Sequence, residues 1–317
     1  MKLKKFDIRK YGIYMALLLV ILFFCITSDK FLSSRNLINI ARQVSVIGIC
    51  ATGMSFVIIS GNIDVGVGSA LGLSAVLSAY LMTHGVNYLL AACGSLLGGV
   101  IVGLINGFLV CNIGMHPMIG TMGMQIFLRG VIYLITSGMP IYGIDERILV
   151  LGQGYVGPIP VPVIIMTVVF VIGFIVLNKM NFGRVLYATG GNSEASRLSG
   201  INVRQAKYKA YIVSGMMTAV AGLILAARVN SGQPNAGERY ESDVIPACVL
   251  GGISLRGGEG SLIGVIAGVL IMGVLTNGMT LLNVNEYWQW TIKGLVLLFA
   301  VSFDRFSQMS KDKPIKL

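Results

Sequence analysis

Along the chain, apolar residues gather into ten runs parted by short polar gaps, at residues 11–27, 39–60, 66–81, 88–110, 118–136, 161–177, 208–228, 243–251, 261–276 and 288–303. A helix that crosses the hydrocarbon core of a bilayer needs about 20 residues, with a range of about 17–25. Most of the runs therefore predict membrane-spanning helices. The eighth, 243–251, is too short, and is expected to be thin, kinked or extended into its flanks by Tyr240 and Leu255. The first run follows Lys2, Lys4, Lys5, Arg9 and Lys10, as a secretory signal would, but no small-x-small cleavage site follows it and the next polar residues are Ser28, Asp29 and Lys30. It reads as a retained span. The pattern predicts an all-α polytopic transmembrane helical bundle of about ten helices, forming a single domain over residues 1–317.

Composition supports that reading. Of 317 residues, 55% are hydrophobic and only 12% charged, against roughly a quarter charged in ordinary globular domains. Mean hydropathy is +0.80. The net charge of +11 is not spread as a nucleic-acid-binding face, which would interleave basic and aromatic residues. It gathers instead at residues 1–10, 178–207 and 304–317, as the positive-inside rule expects of cytoplasmic segments. With both termini cytoplasmic, the number of crossings is even. Ten crossings also put 178–207 inside, with Lys179, Arg184, Arg197, Arg204 and Lys207, and leave Asp145, Glu146, Glu238, Glu241 and Glu286 outside. Tyr287, Trp288 and Trp290 fit an aromatic belt at the outer end of the last span.

The chemistry of catalysis is missing. There is no Gly-Lys pair, hence no P-loop, and neither G-x-S-x-G nor H-E-x-x-H occurs. Cys25, Cys50, Cys93, Cys111 and Cys248 lie in apolar surroundings without C-x-x-C spacing, and His84 and His116 stand alone, so neither metal nor cofactor is expected. Ionisable residues within the runs are few. Asp64 and Asp243 lie at helix edges, Arg42 and Lys293 lie within about two turns of span ends where they can snorkel, and Arg129 alone is deep. Arg129 fits either a partner of backbone carbonyls or a pathway residue. An ion-coupled secondary carrier of a small polar solute stays open as an alternative to an ATP-driven system. Two glycine-rich interruptions, at 61–69 and 251–261, each contain G-x-G-S followed by a glycine, Gly72 or Gly264, at the same separation. They suggest a weak internal repeat and broken helices, which in transporters border the pathway.

Gly53-Met54-Ser55-Phe56-Val57-Ile58-Ile59-Ser60-Gly61-Asn62-Ile63-Asp64-Val65 resembles the string G-M-T-F-V-I-I-T-G-G-I-D-L of the ribose/xylose/arabinose/galactoside-type ABC transporter permeases. The resemblance continues through Leu128-Arg129-Gly130, through Gly183-Arg184 and Ala188-Thr189-Gly190-Gly191-Asn192-Ser193-Glu194-Ala195-Ser196-Arg197-Leu198-Ser199-Gly200, and on to Ser231-Gly232-Gln233-Pro234 and Tyr287-Trp288-Gln289. Asn62, Gly66, Pro246 and Glu259 depart from the family pattern. The resemblance implies a non-catalytic permease subunit of a binding-protein-dependent sugar importer in a bacterial cytoplasmic (inner) membrane. Its fold would be similar to that of type II importer permeases such as those for cobalamin. The implied partners are ABC ATPase subunits, an extracytoplasmic sugar-binding protein, a second permease copy and membrane lipid, with no nucleic acid.

On this reading the loop 178–207 receives force from the ATPase. Gly190-Gly191-Asn192 forms a turn with Asn192 as helix N-cap, and Glu194 favours the helix N-terminus. Gly200 with Asn202 ends a helix of about two turns, whose apolar contacts are Ala195 and Leu198. Asn62, Ile63 and Asp64 lie where an inner gate would form, although Asp64 equally fits a plain N-cap of the third span. His116, in the segment 112–117, belongs to the same inner mouth, while Asn106, Gln125 and Asn277 are candidate pathway walls or interhelical hydrogen-bonding groups.

Overall fold

The computed structural model describes residues 8–311, with side chains for 12–302. The basic residues of 1–7 and 312–317 lie outside the described residues. Each of the ten apolar runs carries a helix: α1 Ile8–Thr27, α2 Ser34–Ile59, α3 Val67–Thr83, α4 Tyr88–Cys111, α5 Pro117–Thr136, α7 Val161–Lys179, α10 Val203–Val229, α11 Glu241–Leu250, α12 Leu262–Leu281 and α13 Glu286–Lys311. Three further helices, α6 Glu146–Gln153, α8 Asn181–Gly191 and α9 Ser193–Leu198, and a hairpin of β1 Tyr155–Val156 with β2 Ile159–Pro160 occupy the connections. By length and composition α2, α4, α5, α7, α10 and α12 suffice to cross a membrane, and α3 is shorter but apolar.

The bundle is built around α2, in which every residue from 44 to 60 is buried. A helix apolar on all sides must be enclosed, and α7, α10, α11 and α12 pack around this one. Where α4 crosses α10, the helix backbones touch. Ser95, Gly99, Gly103 and Gly107 recur every four residues on α4, and a Cβ at Gly103 would stand 2.8 Å from the Ile212 Cα atom. Small residues at this spacing let backbones approach in lipid, where apolar burial gives helices no preference for one another.

The eighth apolar run is the one the pattern could not resolve, and the stretch that holds it is made of three pieces. α10 stops at Val229, with Asn230 in the left-handed conformation at φ 53°. The segment 231–240 then turns back along α3: Gly232 packs on Val76 and Ala79, Ala236 on Gly72, and Gly237 on Gly68. It is pinned by a two-way backbone pairing of Gly232 with Ile141 at 2.9 Å. Only then does α11 begin, and its ten residues span about 15 Å, half of a roughly 30 Å core. The irregular segment 251–261 follows it. Neither Tyr240 nor Leu255 lengthens the helix: Arg239 adopts φ 62° just before it, Gly252, Gly257, Gly258 and Gly260 adopt positive φ just beyond, and Pro246 lies inside it.

The suggested repeat is one of sequence and not of placement. Ser69 is the third residue of α3, whereas Ser261 is the N-cap of α12, accepting from the Ile263 amide.

Candidate functional site

α9 protrudes at one end of the bundle, and the chain determines both of its ends. The Asn192 side chain accepts from the Ala195 amide at 2.9 Å. Past the last turn, Gly200 has φ 83°, its amide bonds Arg197 O and the Ile201 amide bonds Ser196 O, each at 3.0 Å. That pairing is a Schellman motif, which needs a residue tolerant of the left-handed region. The Asn202 side chain then caps α10 through the Gln205 amide. Of the six residues in α9 only Ser196 is buried, and Ala195 and Leu198 face outward, Leu198 at 75% exposure. Glu194 and Arg197 pair across the helix at 2.6 Å, so the Arg197 guanidinium holds the Glu194 carboxyl below its ordinary range. Beside α9 a recess of about 590 Å³ is lined by Cys111, Arg197, Gly200, Arg204 and Lys207.

Gly190 and Gly191 do not form a turn. They are the last residues of α8, because the helical ladder runs on to Asn192, whose amide bonds Ala188 O at 3.1 Å. Their use is different for each. A Cβ on Gly190 would overlap the Ile59 carbonyl oxygen and stand 2.5 Å from Gly258 N, while one on Gly191 would meet nothing within 4 Å. α2 ends in its own Schellman motif at Gly61, φ 81°, and the Ile59 carbonyl beside it accepts from the Gly258 amide at 2.9 Å. A Cβ on Gly257 would stand 2.6 Å from Gly61 Cα. Both glycine-rich interruptions thus meet at the end of α8, one residue before the cap of α9. Their separation in sequence hid this convergence, and the signal that could have revealed it was the shared presence of glycines requiring positive φ.

The loop after this junction is held by three helices. Asn62 donates to Ser60 Oγ at 3.0 Å, Ile63 O accepts from Tyr211 Oη of α10 at 3.2 Å, and the Val65 amide donates to Thr121 Oγ1 of α5 at 3.0 Å. Asp64 is buried. Its Oδ1 accepts from the Gly66 amide at 2.9 Å, and Asn106 Nδ2 of α4 lies 3.4 Å from both carboxylate oxygens. Gly66, not Asp64, occupies the N-cap position of α3. His116 precedes Pro117 at the start of α5, exposed and without a cap bond. Asn277 sits apart on α12, which packs on α1, α2, α7 and α11, so the structure does not bring it to the same site.

Two turns further along α5, Gln125 Nε2 donates to Glu241 Oε1 at 2.9 Å. One turn beyond that, Arg129 Nη1 donates to Pro234 O and Ala236 O at 3.0 and 2.9 Å. Arg129 is therefore a clasp on the returning segment, where the carbonyls have no helix to bond. Glu241 does not stand in a loop as its charge suggested: it opens α11, brought beside Gly68 and Gln125 by the return of 231–240 along α3. Lys293 likewise does not reach for a span end: its Nζ lies 2.8 and 2.9 Å from the two Asp243 oxygens, tying α13 to α11. A groove of about 800 Å³ runs over Ser69, Gln125, Arg129, Tyr133, Glu238 and Glu241.

A family model described as the branched-chain amino acid transport system / permease component matches residues 36–301. The chain belongs to this permease family. The ribose import permease protein RbsC of Bacillus subtilis (strain 168) is 42% identical over 94% of this permease and 93% of its own length. The L-arabinose transport system permease protein AraH of Escherichia coli (strain K12) is 36% identical, over 95% and 92%. The xylose transport system permease protein XylH of Haemophilus influenzae is 33% identical, over 96% and 98%. No solved structure matches. The likeness to permeases of the ribose, xylose and arabinose type agrees with the strings of residues that first suggested it, and together with the apolar helices makes the chain an integral membrane protein.

Proposed function

We infer that this permease is the membrane-spanning subunit of an ATP-driven, binding-protein-dependent sugar importer, with pentoses the first candidates for its cargo. ATP is hydrolysed by separate ATPase subunits that seat α9, an extracytoplasmic binding protein delivers the sugar, and two permease copies form an alternating-access pathway. The subunit lies in the bacterial cytoplasmic membrane with both termini and α9 in the cytoplasm. The observation that carries this reading is the placement of α9: a rigidly capped, outward-facing helix whose neighbour Gly190 touches both broken segments. A load applied to α9 has no slack to absorb before it reaches α2 and the segment 251–261. The relatives' names support a sugar over the amino acid of the family description, since those relatives match nearly the whole chain.

An ion-coupled carrier would need free ionisable groups inside the bundle. Here Asp243 and Lys293 are paired, Arg129 is engaged with carbonyls, and the carboxylates of Asp64 and Glu241 are held by the amide side chains of Asn106 and Gln125 and have no ion-pair partner among the described residues. The deciding experiment reconstitutes the permease with a cognate ATPase and binding protein in liposomes and offers ribose, xylose, L-arabinose and hexoses. Uptake that requires both partners and ATP is expected. Uptake by the permease alone, driven by a proton or sodium gradient, would refute the reading.

A further inference from the structure

We propose that Ser69, Gln125 and Glu241 form a contact site for the hydroxyl groups of a neutral sugar, at the floor of the groove where α5 meets the first turns of α3 and α11. The proposal rests on the importer reading and deepens it by naming where the cargo is held. Two oxygens on this floor have hydrogen bonds unmade: Ser69 Oγ and Glu241 Oε2 are both buried without a partner, and Ser69 is only 1% exposed. A buried acceptor left unpaired is unfavourable, and a helical serine ordinarily satisfies itself on the carbonyl four residues back, as Ser45, Thr52 and Ser55 of α2 do. Ser69 cannot, because Val65 lies outside α3.

The carboxylate is oriented, not loose. Gln125 fixes Oε1, and Oε2 lies 2.7 Å from where a Cβ of Gly68 would project, so the missing side chain at Gly68 is what admits it. A carboxylate only accepts hydrogen bonds, a serine hydroxyl donates and accepts, and a sugar hydroxyl does both. One sugar hydroxyl thus donates to Glu241 and accepts from Ser69, satisfying both orphaned oxygens at once. The groove's volume of about 800 Å³ falls within the roughly 300–1,000 Å³ of small-molecule sites. Arg129 Nη1 is taken up by the carbonyls of 234 and 236, and the Arg239 guanidinium stacks 3.5 Å above the Trp290 ring. The floor itself is a carboxylate oxygen and a hydroxyl, which suits the hydroxyls of a neutral polyol and repels the carboxylate of an amino acid. Both oxygens are recessed in this conformation. They become accessible when the first turn of α11 moves, and α11 continues through 251–261 to the Gly190 junction.

The test uses the complete importer in liposomes. Ser69→Cys is exposed to a small thiol reagent during ATP turnover, and modification is read by mass spectrometry on the peptide carrying position 69. Millimolar ribose, xylose or L-arabinose, whichever is transported, is expected to slow modification about tenfold, and leucine is expected not to. Glu241→Gln is expected to lower the sugar moved per ATP hydrolysed by about tenfold, the size of one strong hydrogen bond, and the swap Gln125→Glu with Glu241→Gln to recover most of it. Unchanged modification in the presence of a transported sugar, or protection by leucine, overturns the site. If Ser69→Cys does not assemble, Glu241→Gln decides alone, and a normal ratio of sugar to ATP overturns the site. No uptake by the unaltered importer overturns the function beneath the proposal, and the site with it.

Discussion

Gly190 and Gly191 are adjacent, belong to one helix, and should respond oppositely to alanine. At Gly190 the new methyl group would meet Ile59 O and Gly258 N, inside the 3.0 Å below which real Cβ contacts are essentially never found. Both obstacles are backbone, so no rotamer change relieves them. Overpacking of this kind costs about 1–3 kcal/mol. Pushing α8 away also breaks the Gly258 amide's 2.9 Å bond to Ile59 O, worth about 1 kcal/mol, for a total of about 2–4 kcal/mol. At Gly191 the methyl meets nothing within 4 Å, and Ala in place of helical Gly gains about 0.5–1 kcal/mol. The thermal midpoint of the purified permease should fall for Gly190→Ala and hold or rise for Gly191→Ala. Sugar uptake per ATP hydrolysed in the reconstituted importer should drop for the first variant only. Equal behaviour of the two variants would refute the claim that Gly190 is the joint.

Lys293→Met leaves Asp243 buried and unpaired and should destabilise by about 3–5 kcal/mol, while adding Asp243→Asn should recover much of that in a detergent melt. Arg129→Met removes both bonds to the carbonyls of 234 and 236 and should cost about 1.5–3 kcal/mol, read as faster hydrogen exchange across 231–240. Asn192→Ala removes the α9 cap and about 1 kcal/mol, so the amides of α9 should exchange about fivefold faster. For orientation, cysteine at exposed Leu198 should be labelled by an impermeant reagent only in opened cells. Cysteine at exposed Tyr142 should be labelled in intact ones, and the reverse pattern would invert the topology.

How much of this was legible beforehand depended on whether the information was local. Helices α2, α4, α5, α7, α10 and α12 could be read from their runs, because a span needs only length and apolarity. The caps of α9 could be read because Asn192 and Gly200 act on neighbours within a few residues, whereas Asn202, expected to help end α9, caps α10 instead. The course of 231–240 could not. It is held by Arg129, about a hundred residues earlier, and by close contact with Gly68 and Gly72, none of which leaves a periodic trace in the segment itself. For the same reason Glu241 looked like an outer acidic residue and Lys293 like a snorkelling one. Charge shows that a partner is needed and is silent on which one.

The glycines at 61, 190, 257 and 258 have a consequence for how motion would pass through the subunit. Contacts between long side chains yield by changing rotamer, and a displacement entering through them decays within a few ångströms. Contacts between backbones do not yield in that way, because the peptide groups are already in touch and are hydrogen-bonded. At Gly190 the α8 end, the α2 end and the 251–261 segment meet backbone to backbone, with the Gly258 amide bonded to Ile59 O, and one turn back in α8 Tyr187 Oη donates to Gly260 O at 2.9 Å. α2 is buried without a break from residue 44 to its end and is the poorer candidate to move. The 251–261 segment is irregular, and its five glycines at 251, 252, 257, 258 and 260 let it hinge. Displacement of α9 should therefore be delivered to α11, a helix short enough to tilt as one piece, with Glu241 at its far end. Such coupling requires that Gly190→Ala and Glu241→Gln be non-additive in sugar moved per ATP, although they lie at opposite ends of this path. Additive effects would mean that the two sites do not share the moving element.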